Sequence, residues 1–152
     1  MKHIGFCGGS SIFELGSASD MSNFFSLLRN NARDKRDKEL IEQIYLRYIR
    51  FCDIEQSLCV IKKLQEELQK QNDDFNNDII TMKDNNSITD FSKYFEGIIY
   101  CIESAKAFYE DWGVYKPVKI VVTDMPEFMT HRDRPLEQYD VLAPSDPPFW
   151  LR

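Results

Sequence analysis

Between residues 40 and 68, apolar side chains recur at Leu40, Ile44, Tyr48, Phe51, Ile54, Leu58, Ile61, Leu64 and Leu68. Eight steps cover 28 residues, a mean spacing of 3.5. An α-helix returns side chains to one face at that interval, so the pattern predicts a long amphipathic helix near 37–70. The alternative is two helices broken near Asp53, where "DIEQ" resembles a capping box. A second row runs through Ile88, Phe91, Phe95, Ile98, Ile102, Ala105, Phe108 or Tyr109, and Trp112. It predicts a helix over 88–112, capped by Ser87 or Thr89 and stopped by Gly113. An antiparallel pair of these helices buries both rows, so the aromatic row reads as core and not as a cofactor box.

Shorter patterns fill in the rest. "DMSNFFSLLRNN" predicts a helix near 19–31, capped by Ser19 or Asp20, with Phe24, Leu27 and Leu28 on one face. The mixed-charge run "RDKRDK" at 33–38 reads as a solvated helix start. "KHIGFC" at 2–7 and Val118–Asp124, between Pro117 and Pro126, read as strands that can pair. Residues 71–87 are rich in Asn and Asp, which compete for backbone hydrogen bonds, and read as a loop with a short strand near 79–82. Residues 125–148 hold five of the six prolines and read as irregular, with "EQYDVL" as a candidate edge strand. The final "PPFWLR" is expected to dock onto the domain. The sum is a single α+β domain over 1–152. It is mainly helical, with two long packed helices and a small β-sheet formed by terminal segments.

"HIGFCGGSSIFELGS" at 3–17 looks at first like a phosphate-binding loop. A Walker loop needs a lysine after its glycines, and the first lysine after Gly9 is Lys35. A dinucleotide loop needs GxGxxG opening a helix, which the spacing of Gly5, Gly8 and Gly9 does not fit. A nucleophile elbow needs GxSxG, and "GGSSI" lacks the second glycine. The stretch therefore reads as a strand end turning toward the first helix. A small enzyme built on Ser10 or Ser11 of this loop stays open as an alternative.

Composition changes this picture in one respect. With 43% hydrophobic and 13% aromatic residues, the 152-residue chain can form a core without staples. The net charge of −6 argues against nucleic acid as a direct ligand. The charge is uneven: residues 53–111 carry 6 basic and 13 acidic side chains, a net −7. No stretch approaches the roughly 18 apolar residues of a membrane span, and none reads as a signal peptide. The four cysteines sit in apolar surroundings without a CxxC, which suggests reduced thiols and a cytoplasmic location.

Candidate chemistry is sparse. His3 and Cys7 lie about 13 Å apart on a strand at ~3.3 Å per residue, too far to share an ion. The acids of 73–84 do not follow a calcium-loop pattern. No metal and no cofactor are expected. "THRDRP" offers His131 and Asp133 for proton transfer, although a lone histidine in a polar loop is ordinarily solvated. The acidic middle is the more telling feature. Glu55, Glu66, Glu67, Asp73, Asp74, Asp78 and Asp84 form either a solubilising surface or a docking face for a basic protein, with nearby aromatics as anchors.

The chain as a whole resembles immunity proteins of contact-dependent growth inhibition and related polymorphic toxin systems. The resemblance rests on a small, acidic, aromatic-rich domain without a catalytic set, on the helices "ELIEQIYLRYIRFCDIEQSLCVIKKLQEEL" and "FSKYFEGIIYCIESAKAFYEDWG", and on the tail "YDVLAPSDPPFWLR". It implies a cytoplasmic, non-enzymatic protein that occludes one cognate toxin domain, often a basic nuclease. On that reading the binding residues are Glu66, Glu67, Asp73, Asp74, Asp78 and Asp84. The other functional alternatives are the small enzyme, using the Gly/Ser loop or His131, and a regulatory adaptor.

Overall fold

The computed structural model describes residues 3–74, 81–84 and 87–123, with side chains over 4–70 and 91–122. Strand β1 (His3–Gly8) turns through Gly9 and Ser10 into β2 (Ser11–Glu14). Helices α1 (Ala18–Asn31), α2 (Lys35–Leu46) and α3 (Ile54–Asp74) follow. Strands β3 (Thr81–Asp84) and β4 (Ser87–Asp90) pair antiparallel and lead into α4 (Ser92–Trp112). Strand β5 (Lys119–Thr123) then lies on the open side of β1, giving an antiparallel sheet in the order β2-β1-β5. The fold is mainly helical α+β.

Glycine spacing at the N-terminus makes a hairpin, not a turn into a helix. Gly8 lies opposite Ser11, so Gly9 and Ser10 form a two-residue loop. Gly9 takes φ +58, the left-handed conformation such loops require at their first position. The missed strand β2 has only Ile12 and Phe13 as apolar residues, and the serines around it obscure it. A Gly-Ser dipeptide between "IGFC" and "IFE" was the available hairpin signal.

Helix α1 begins earlier than its sequence suggests. Ser17 is the N-cap, its hydroxyl accepting from the Asp20 amide at 3.1 Å. Asp20 instead sits in the first turn, where the helix dipole favours a carboxylate. Asp34 caps α2 through the Arg36 amide, so the charge run 33–38 does open a helix.

The long 3.5-residue row is broken into two helices. The break comes at Arg47, where φ −138 and ψ −104 leave the helical region. Tyr48 and Ile49 beyond the break are both buried, so the apolar row continues although the chain has left the helix. Ile49 bridges to Val118, its amide donating to the Val118 carbonyl at 2.9 Å. A 3-10 turn at Phe51–Asp53 then starts α3, and Phe51, expected in the core, is 47% exposed. Tyr115 locks this break, its hydroxyl donating to the Ile49 carbonyl. Burial pushes that hydroxyl above the ordinary tyrosine range, so it stays protonated and keeps donating. Tyr115→Phe strands the carbonyl, and stability is expected to fall by about 1–3 kcal/mol. A lower urea midpoint at unchanged slope is the readout, and an unmoved midpoint refutes it.

The predicted antiparallel pair is α3 with α4. Glu55 meets Lys106 at 2.6 Å and Lys62 meets Glu103 at 3.4 Å, so numbers rise on one helix as they fall on the other. The Glu55 carboxylate raises the Lys106 ammonium's pKa. Helix α3 runs on to Asp74, so Asp73 and Asp74 lie on a helix and not in a loop. Leu64 and Leu68 anchor its last turns, and the polar residues beyond simply extend it. Likewise α4 starts at Ser92 behind Phe91, because Ser87–Asp90 are taken up by β4. Its stop at Gly113 is as expected, with φ +69 and the Gly113 amide donating to the Tyr109 carbonyl at 2.8 Å.

The core is centred on Phe24. Its ring lies 5.0 Å from Phe95, 5.3 Å from Tyr94, 5.5 Å from Phe25, 5.7 Å from Phe91 and 6.4 Å from Phe6. It thereby joins α1, α4 and the sheet.

Candidate functional site

The outer face of α4 is unlike the inner one. Phe91, Phe95, Ile98, Ile102 and Ala105 are buried as the apolar row requires. That row ends at Ala105: Phe108 is half-buried, Tyr109 is 39% exposed and Trp112 is 72% exposed. Trp112, assigned to the core by its spacing, stands outside it. Periodicity marks a helix face but not how far the neighbouring elements reach along it.

On the opposite side, Glu96, Tyr100, Glu103, Ala107 and Asp111 recur every three or four residues and all are exposed. They form an acidic strip along the helix, broken by one large aromatic ring. Tyr100 is 53% exposed and is steadied by Phe13 of β2, ring centroids 6.3 Å apart. Phe13 can reach it because Gly97 has no side chain: a Cβ there would stand 2.7 Å from the Phe13 ring.

Two open grooves flank this strip. The first, of 570 Å³, lies between α3 and α4 and is bordered by Lys62, Gln65, Glu66, Glu96, Ile99, Tyr100 and Glu103. Lys62 is engaged by Glu103, which leaves Glu66 and Glu96 without an ion-pair partner among the described residues. The second, of 530 Å³, lies at the far end of α4 beside Ser10, Ser104, Phe108, Asp111 and Trp112.

The residues expected from the sequence divide accordingly. Glu66 borders the first groove. Glu67 is half-buried and does not. Asp73 and Asp74 lie on the last turn of α3, and Asp84 ends β3. Asp78, His131, Asp133, "EQYDVL" and "PPFWLR" lie outside the described residues. Glu96, Glu103 and Asp111, which the sequence does not single out, are interleaved with core positions and gathered only by the helical turn.

Ser11 is placed for packing, whereas Ser10 is exposed. Ser104 donates to Ser11, hydroxyl oxygens 2.8 Å apart, which pins the hairpin to α4. The backbone at Gly8 presses on the Cys101 carbonyl, where a Cβ would sit 2.4 Å away. None of the four cysteines is in a disulfide; Cys7 and Cys101 are buried, whereas Cys52 and Cys59 are exposed, contrary to their apolar sequence neighbours. Burial pushes the Cys101 thiol up to about 12, so at neutral pH it is a thiol and not a nucleophilic thiolate. Among the described residues no three His, Cys, Asp or Glu side chains are grouped to hold a metal ion. No described helix is long and apolar enough to cross a membrane.

Comparison with protein families, curated proteins and solved structures finds no match. The α4 face therefore stands on its geometry alone. It offers the Glu96 and Asp111 carboxylates, which have no ion-pair partner among the described residues, exposed aromatic rings that supply contact area, and two open grooves.

Proposed function

We propose that this protein is a binding protein, and that it neutralises a basic toxin domain in the cytoplasm by covering the toxin's active site or an adjacent surface. The observation that carries this reading is the outer strip of α4, where Glu96, Tyr100, Glu103 and Asp111 are exposed beside Glu66 of α3. The resemblance to immunity proteins supplies the class of partner. Complementary charge speeds encounter and discriminates among partners, while a ring such as Tyr100 supplies desolvated contact once docked. The carboxylates would occupy positions that substrate phosphates take on a nuclease. Neither metal nor cofactor enters this mechanism.

The test is association with the toxin domain encoded beside this protein's own gene. Glu66→Lys combined with Glu96→Lys is expected to slow association by at least about tenfold at low salt, and added salt to slow the unmodified pair. Tyr100→Ala is expected to speed dissociation instead. No association, or association indifferent to salt and to charge reversal, overturns the reading.

A further inference from the structure

The groove at the end of α4 differs from the acidic strip in its chemistry. Phe108 and Trp112 stand one helical turn apart, centroids 6.2 Å apart and planes at 30°, and make an aromatic wall. Trp112 is the most exposed large apolar side chain described, at 72%. Asp111 lies beside it at the rim, without an ion-pair partner among the described residues. Ser10 and Ser104 add hydroxyls on the hairpin side. Nearby, the Lys116 ammonium lies 5.3 Å from the Phe108 ring centre, so that ring is already engaged by a cation and Trp112 is the ring left to receive another. Lys116 itself does not border the groove.

From this arrangement we infer that the Phe108–Trp112 groove is a slot for an arginine side chain of the protein partner. A guanidinium is planar and weakly hydrated, and it stacks on an indole face. Its N–H fork donates to a carboxylate at the side, which Asp111 provides. Lysine fits less well, because its compact, strongly hydrated ammonium cannot lie flat on the ring. The inference rests on the basic-partner reading above and gives that surface an arginine anchor.

The test does not need the partner. Isotopically labelled protein is titrated with Nα-acetyl-arginine amide, and separately with the uncharged citrulline amide of the same shape. The Trp112 indole N–H signal is identified by its loss in Trp112→Phe. Arginine amide is expected to move this signal along a saturating curve at millimolar concentration, and citrulline amide to bind at least about threefold more weakly. Asp111→Asn is expected to weaken arginine binding by about two- to fivefold. No saturable shift, equal binding of the two amides, or an unaffected Asp111→Asn variant each overturns the slot. Failure here leaves the toxin-association test untouched. Failure of association alongside intact arginine binding counts against the partner reading alone.

Discussion

Phe24→Ala is expected to cost about 3–5 kcal/mol, a large share of the roughly 5–15 kcal/mol that holds a domain of this kind folded. The reason is the number of sides from which the ring is enclosed. Phe6 comes from β1, Phe25 from its own helix, and Phe91, Tyr94 and Phe95 from around the start of α4. Each of these neighbours is held by other contacts, so none is free to collapse into the space. Phe6, for example, also meets Phe25 at 6.2 Å, and Tyr94 meets Phe91 at 5.4 Å. The cost is therefore both lost burial and a retained cavity. Phe24→Leu refills part of that space and is expected to lose less. In thermal unfolding the alanine variant should melt roughly 6–20 °C lower. A fall of under about 1 kcal/mol in urea would mean that the core rearranges around the gap.

Gly9→Ala is expected to be nearly as damaging, at about 2–5 kcal/mol, from two separate causes. At φ +58 an L-residue is strained by about 1–2 kcal/mol. The added Cβ would also stand 2.5 Å from the Ser104 carbonyl oxygen and 2.7 Å from its carbon, both backbone atoms in the middle of α4. Relieving that clash means lifting the hairpin off the helix, an overpacking cost of about 1–3 kcal/mol. Gly113→Ala separates the two causes. Gly113 has φ +69 but nothing within 4 Å of a built Cβ, so backbone strain is the only cost there. Urea unfolding of both variants reads the difference. If Gly9→Ala loses no more than Gly113→Ala, the close approach of hairpin and helix does not constrain the fold.

How much of this was legible depended on whether a signal lay in spacing or in context. The pairing of α3 and α4 was legible because buried apolar residues recur at the helical period. The break before α3 was harder to see, since Tyr48 and Phe51 keep that period while the chain leaves the helix. What reveals it is Ile49, which is buried and makes an isolated bridge to Val118, about 70 residues away and just before β5. Strand β2 was lost among glycines and serines, whose small size is what lets the hairpin lie directly on α4. The candidate site was legible only in part. Net charge pointed to the middle of the chain, and Glu66 is there. The charge count could not tell which acids share a face. Glu96, Glu103 and Asp111 are seven or eight residues apart and align only through the turn of α4. Trp112 was placed in the core because its spacing fits. Its exposure follows from where the neighbouring elements stop, which spacing does not encode.

The place of β5 in the sheet also bears on how the protein is made. Its partner β1 is the first described strand, and their register sets His3 opposite Thr123 and Cys7 opposite Lys119. A growing chain can form the Gly9 hairpin almost at once, yet β1 must wait for more than a hundred further residues before its second edge is paired. At about 5–20 residues per second, that edge stays open for several seconds during synthesis. Phe24 and Phe25 pack on the Phe6 side chain and so cover a face of β1, not its edge, and among the described residues that edge is paired by β5.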